Sequence, residues 1–154
     1  MSAVDVLMGV QEASFAGADG ALRGSWSPER AMGAAELESF LDERTFCVLA
    51  TTTGKGRPQA RPVAFALFRG AFWFATVAGG RLRNLERTPW VSVVISEGEG
   101  EDHRMVAVDG PVTVVAEPPQ GLLEAWERRI GSRAEWAAAW LELCPERLYS
   151  YTHA

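Results

Sequence analysis

Residues 56–76 read Gly56-Arg57-Pro58-Gln59-Ala60-Arg61-Pro62-Val63-Ala64-Phe65-Ala66-Leu67-Phe68-Arg69-Gly70-Ala71-Phe72-Trp73-Phe74-Ala75-Thr76. A strand is legible from Pro58 to Leu67 and a second from Ala71 to Thr76, because both suit a pleated, largely buried surface. Arg69-Gly70 between them suits the tight turn of a hairpin. With a side-chain period of two, Arg61 shares its face with Val63, Phe65 and Leu67. A permanent cation is thereby aimed at the apolar side of a sheet, where an isolated charge is strongly unfavourable. Arg61 calls for an anion, either a carboxylate of the protein or a bound phosphate.

The same period extends to both sides. Phe46 to Thr52 is rich in β-formers and is followed by a Gly54-Lys55-Gly56 turn, and Val91 to Ile95 continues the pattern. Beyond the acidic loop Glu97 to Asp102, a longer strand is expected from Arg104 to Ala116, with Asp109-Gly110 marking a bulge or bend. At least five strands in close succession predict a barrel or sandwich. Helical spacing flanks them. Ser27-Pro28 reads as a cap and first helical residue, opening a helix that carries Leu37, Phe40 and Leu41 and ends near Asp42 to Arg44. Leu122, Trp126 and Ile130 form a later stripe. Ser132-Arg133-Ala134-Glu135 reads as a capping box for one more helix, with Trp136, Ala139, Trp140 and Leu143 on its apolar side and Pro145 as its stop. Leu148, Tyr149 and Tyr151 suggest a closing strand. The expected class is therefore mainly β with flanking helices (α+β). Residues 1–24, with weak periodicity and Gly17, Gly20 and Gly24, are expected as an N-terminal extension carrying at most a short amphipathic helix, ahead of one domain over residues 25–154.

Composition bounds the function. The 154 residues, 47% apolar and 23% charged, suffice for one globular core. A net charge of -5 disfavours nucleic acid and anionic lipid as partners. The two cysteines, Cys47 and Cys144, belong to no metal-binding spacing and are expected as reduced, mostly buried thiols. No apolar run approaches the ~20 residues that span a bilayer, and Met1 to Val10 lacks the form of a signal peptide. The cytoplasm is the expected compartment. No protein nucleophile is evident: Ser92 and Ser96 have no His/Asp partners in view and no G-x-S-x-G occurs. The acidic loop reads as a solvated turn, since its glycine spacing differs from that of calcium loops. No metal site is expected.

A second feature follows the hairpin. Phe72 to Thr76 runs through Val77-Ala78-Gly79-Gly80 into Arg81-Leu82-Arg83-Asn84-Leu85, a short helix with Leu82 and Leu85 facing inward. The free amides of its first turn make an anion site, whereas Arg81 puts positive charge where the helix dipole disfavours it. A bound phosphate resolves that conflict; screening by water and salt is the other resolution.

Together, Gly56 to Val63, Phe72 to Thr76 and Arg81-Leu82-Arg83-Asn84-Leu85-Glu86-Arg87-Thr88-Pro89-Trp90-Val91 resemble, in order and spacing, the pyridoxamine 5′-phosphate oxidase-like family, whose members fold as antiparallel split β-barrels of Greek-key type. The likeness covers about Ala35 to Ala116 and is weaker over Pro145 to Tyr151. It implies an FMN cofactor whose phosphate meets Arg61 and Arg81, with Thr76, Gly79 and Gly80 beside it and Pro62, Val63 and Ala64 passing under the isoalloxazine. Arg81 stands where lysine is common. It also implies a homodimer with the flavin at the interface and a small-molecule electron donor and acceptor. The tryptophans suit such an interface or a core. The oxidase's C-terminal arginine and histidine motif has no counterpart at Tyr151-Thr152-His153-Ala154, so oxidation of pyridoxamine phosphate is not expected. A related branch uses the deazaflavin coenzyme F-420, and other split barrels bind haem, here through His103 or His153. A non-enzymatic flavin sensor or store is the remaining alternative.

Overall fold

The computed structural model describes residues 1–153. Eight strands form one antiparallel sheet: β1 (Phe46–Thr52), β2 (Pro58–Ala64), β3 (Ala66–Phe68), β4 (Ala71–Thr76), β5 (Trp90–Glu97), β6 (Arg104–Val115), β7 (Ala139–Leu143) and β8 (Arg147–Thr152). Their order is β2-β1-β5-β6-β7-β4-β3, with β8 on β6. The expected split barrel with flanking helices is the architecture observed.

The strand expected over Pro58 to Leu67 is broken at Phe65, and that break is the split. β2 pairs only with β1 and β3 only with β4, so segments joined by one residue end opposite edges of the strand path. Phe65 is wholly buried, and its N–H donates to the Thr45 carbonyl at 3.0 Å. The β3–β4 hairpin turns through Arg69 and Gly70, at φ 53° and 77°, as the two-residue loop requires.

β6 holds the two halves together. Along one edge it pairs continuously with β5; along the other it pairs with β8 up to Asp109 and with β7 from Val112. Asp109-Gly110 therefore marks an exchange of neighbours rather than a bulge. A Cβ at Gly110 would collide with the carbonyl oxygen of Cys144, so the close passage of the β7–β8 connection demands glycine.

The barrel interior is filled by Leu49, Phe72, Phe74, Val93, Ile95, Val106, Val108, Leu141, Leu143 and Leu148, together with Leu37, Phe40 and Leu41 of α3 (Ala34–Asp42). Each such side chain stabilises the fold by about 1.5–3 kcal/mol on burial. A second cluster forms where α5 (Leu122–Ile130) covers the other face of β4, packing Leu122 and Trp126 on Trp73, Ala75 and Trp140. All six residues of β4 are buried because both of its faces are covered.

Four expectations change. Residues 139–143 are a strand between β4 and β6, not a helix. Leu141 and Leu143 enter the barrel core while Trp140 enters the α5 cluster, and a strand buried on both faces loses the alternation that would identify it. Ser27-Pro28 opens only a 3₁₀ turn over Pro28–Arg30. The chain then drops Met32 into the core, its N–H bonded to Ser150 Oγ at 2.8 Å and its carbonyl to Gln11 Nε2 at 2.9 Å, before α3 begins. Cys47 is buried as expected, but Cys144 is exposed in the β7–β8 connection. Residues 1–24 carry α1 (Ala3–Ala16), with a Ser2/Asp5 capping box, and most of α2 (Gly20–Ser25); α1 packs on β8 and places Leu7 in the core. Among the described residues no helix is long and apolar enough to cross a membrane.

Candidate functional site

The loop after β4 leads into α4 (Gly80–Arg87), which packs on β1. Gly79 is the N-cap, no side chain caps the first amides, and no acidic residue occupies the first turn. A Cβ built on Gly79 would meet nothing within 4 Å, so the backbone there stays open to approach. Two arginines lie at this positive helix end. Arg81 is the second helical residue, and the Arg83 guanidinium folds back to within 3.9 Å of the Cβ position of Gly80. Both are unfavourable against the helix dipole unless an anion joins them.

Asn84 fixes α4 to the β1–β2 hairpin. Buried, it donates from Nδ2 to Thr51 Oγ1 and to Gln59 Oε1, both at 3.1 Å, and accepts from Arg87 Nη2 at 3.0 Å. Gln59, Arg61 and Val63 face Thr51, Leu49 and Cys47 across the pair, so Arg61 sits on the inward face, as its period predicts. It is nevertheless exposed rather than buried, because β2 is an edge strand and only Val63 of that strand is covered. Among the described residues no carboxylate lies within 4.0 Å of the Arg61 or Arg81 guanidinium. Burial depresses the Arg81 guanidinium below its ordinary value; the Cys47 thiol partly offsets this, and the Arg61 charge adds to it.

Arg81 opens onto a cavity of about 290 Å³ lined by Phe46, Pro62, Val63, Ala64, Ala75, Trp126, Ile130, Ser132 and Trp136. Its lining combines one cation with aromatic and aliphatic side chains, the mixture usual in small-molecule pockets. Trp126 stands edge-on to Trp140 at 5.1 Å, and its buried Nε1–H has no acceptor among the described residues.

Of the residues expected from sequence, Pro62, Val63, Ala64 and Arg81 line this cavity. Arg61 is close enough for its charge to act on Arg81, and Gly79 and Gly80 form the start of α4. Thr76 closes β4, buried, with its hydroxyl donating to the Val77 carbonyl at 3.2 Å. Sequence reasoning missed Arg83 and the α5 side of the cavity. Arg83 could have been found from its place in the same first turns as Arg81. Trp136 and Ser132 could not, because residues 132–143 read as a helix. Among the tryptophans, Trp73, Trp126 and Trp140 are buried, whereas Trp90 and Trp136 are exposed. His103 stacks on Tyr151 at 5.0 Å with His153 beside it, and neither lines the cavity. In the acidic loop Glu97 pairs with Arg44 and Arg104, and among the described residues no cluster of His, Cys, Asp and Glu could hold a metal.

Comparison with known proteins identifies the family and the fold. The family model of pyridoxamine 5′-phosphate oxidase matches residues 34–150. A pyridoxine/pyridoxamine 5′-phosphate oxidase of Rubrobacter xylanophilus is 33% identical over 104 residues, which are 66% of this chain and 47% of that protein. The chain thus spans about half the length of that relative. Among solved structures, the conserved hypothetical protein Rv2991 of Mycobacterium tuberculosis superposes with a TM-score of 0.72 at 24% identity, over 82% of this chain and 88% of that one. An FAD-binding protein of Mesorhizobium loti superposes with a TM-score of 0.64 at 22% identity, over 79% and 93%. At these identities the structural likenesses speak to the fold alone. A barrel split at Phe65, a cationic helix start beside its edge strand, and a family match running from α3 to β8 make this chain a member of the pyridoxamine 5′-phosphate oxidase family.

Proposed function

We propose that the protein binds FMN, holding the phosphate between Arg61, Arg81 and the first amides of α4, and transfers hydride or electrons between small molecules. The observation that carries this reading is the half-buried Arg81 guanidinium at an uncapped helix start, lining the cavity beside Pro62, Val63 and Ala64 and with no carboxylate in ion-pairing range among the described residues. A half-buried cation left without a counter-ion is an unfavourable arrangement that a doubly charged ester relieves, and Arg61 on the neighbouring strand adds a second positive charge for it. Thr76 and the amides of Gly79 and Gly80 flank the ester, while Pro62, Val63 and Ala64 offer main-chain groups to the ring system. Bound flavin supplies the redox chemistry; the chain binds it, orients it and admits a donor and an acceptor. The protein works as a homodimer, since exposed apolar side chains continue from the cavity across the outer face of the sheet. Its thiols suit the cytoplasm.

Arg61→Ala and Arg81→Ala are each expected to weaken FMN binding by about 1–3 kcal/mol, the range for hydrogen bonds to charged groups. Titration of flavin fluorescence, with coenzyme F-420 and haem run in parallel, measures it. Unchanged FMN affinity in both folded variants, or tighter binding of either other ligand, overturns the assignment. Turnover with NAD(P)H and a panel of quinones then separates a reductase from a carrier.

A further inference from the structure

The loop between α5 and β7 is fastened at several points yet leaves its one aromatic side chain outside. Gly131 ends α5 at φ 95°. Arg133 is drawn back onto that helix by Glu127 at 2.9 Å and Glu124 at 3.2 Å. Ala134 is buried beneath the loop at φ 55°, a left-handed conformation that costs a residue with a side chain about 1 kcal/mol or more. Ala137 N–H closes a turn on the Ala134 carbonyl at 3.0 Å, and Ala138 N–H joins the end of β4 at the Thr76 carbonyl, 2.8 Å. Held this firmly, the loop still leaves Trp136 58% exposed, on the cavity that Arg81 also lines. An indole has no reason to be presented to water by a strained and tethered loop. It has one if a flat apolar surface arrives to cover it.

We infer that Trp136 is the stacking wall of the site and restricts its ligands to phosphate esters of planar aromatic systems, excluding aliphatic phosphates of similar charge. This rests on the phosphate-binding reading above and assigns the other half of the ligand. Arg81 recognises the charge and Trp136 the ring, so the two contributions are separable by ligand as well as by mutation.

The experiment measures binding of FMN, riboflavin and inorganic phosphate to the full chain and to Trp136→Ala, Trp136→Phe and Arg81→Ala, with a thermal melt of each variant. Because Trp136 is exposed, Trp136→Ala is expected to melt as the parent does. It should lose roughly tenfold in affinity for both FMN and riboflavin, the scale of one aromatic stacking contact, and nothing for phosphate. Trp136→Phe should keep most of the affinity, and Arg81→Ala should lose FMN and phosphate but not riboflavin. Equal FMN and riboflavin affinity in Trp136→Ala and the parent, while Arg81→Ala still loses FMN, overturns the stacking role alone. A parent chain that binds neither FMN nor phosphate overturns the phosphate site and the stacking wall together.

Discussion

Cys47 and Cys144 differ in accessibility, although their surroundings hold both thiols above the ordinary value. Burial pushes the Cys47 thiol from 9.0 up to about 12, whereas Cys144 is exposed in the connection between β7 and β8. A thiol reagent should therefore titrate one cysteine per native chain and the second only on unfolding; two equally fast thiols would contradict the burial of Cys47. The raised value also has a thermodynamic sign. Above about pH 9 an unfolded thiol releases its proton while the folded Cys47 keeps it, so the native chain binds more protons and stability falls as pH rises. Cys47→Ala removes that contribution, and its urea midpoint should decline less steeply than the parent's on the alkaline side. Arg61 marks where reading a single residue stops. Its period gave the correct face, but the need for an anion presupposes burial, and its exposure, with the guanidinium bonded to the Ala60 carbonyl at 2.9 Å, follows from the position of β2 at an edge, which is a property of the whole sheet.

Among the elements, α4 was readable because glycines precede it and Leu82 and Leu85 recur on one side, whereas β7 was not. Ala139 to Leu143 puts large apolar side chains on both faces, Leu141 and Leu143 toward the barrel and Trp140 toward α5, with only Glu142 to mark an alternation, so its period does not distinguish it from a helix. The error propagated: with β7 read as a helix, the loop that carries Ser132 and Trp136 had no place beside Arg81, and half of the cavity was lost from view. What holds α4 in place is equally tertiary. Asn84 joins Thr51 of β1, Gln59 of β2 and Arg87 of its own helix. Asn84→Ala leaves buried partners unsatisfied and is expected to cost about 1–3 kcal/mol of stability, read as a lower urea midpoint. It should also loosen FMN binding, since Arg81 rides on the helix and Arg61 on the hairpin that Asn84 connects. A variant with parental stability would show that the helix is held by Leu85 and its neighbours instead.

In the whole molecule, apolar residues are distributed unevenly. Val48 stands between Pro62 and Val94 across neighbouring strands, and Phe46 beside Ala64, making a continuous outward strip on which Phe46, Val48 and Val94 are 64%, 43% and 43% exposed. Scattered exposed apolar side chains are ordinary, whereas a contiguous strip on one sheet face is the surface that the proposed homodimer would cover. Sedimentation should give a dimer for the parent and a folded monomer for the Val48→Glu, Val94→Glu double variant; a parental monomer that binds FMN tightly would refute the shared interface.

The cavity straddles the seam left by Phe65. Phe46 and residues 62–64 come from one side of the opening; Ala75, Trp126 and Ile130 come from the other. An occupant consequently acts as a rivet across a discontinuity that the backbone leaves unfastened. Its grip adds to the cohesion of the barrel by an amount that grows with the logarithm of the ratio of its concentration to its dissociation constant.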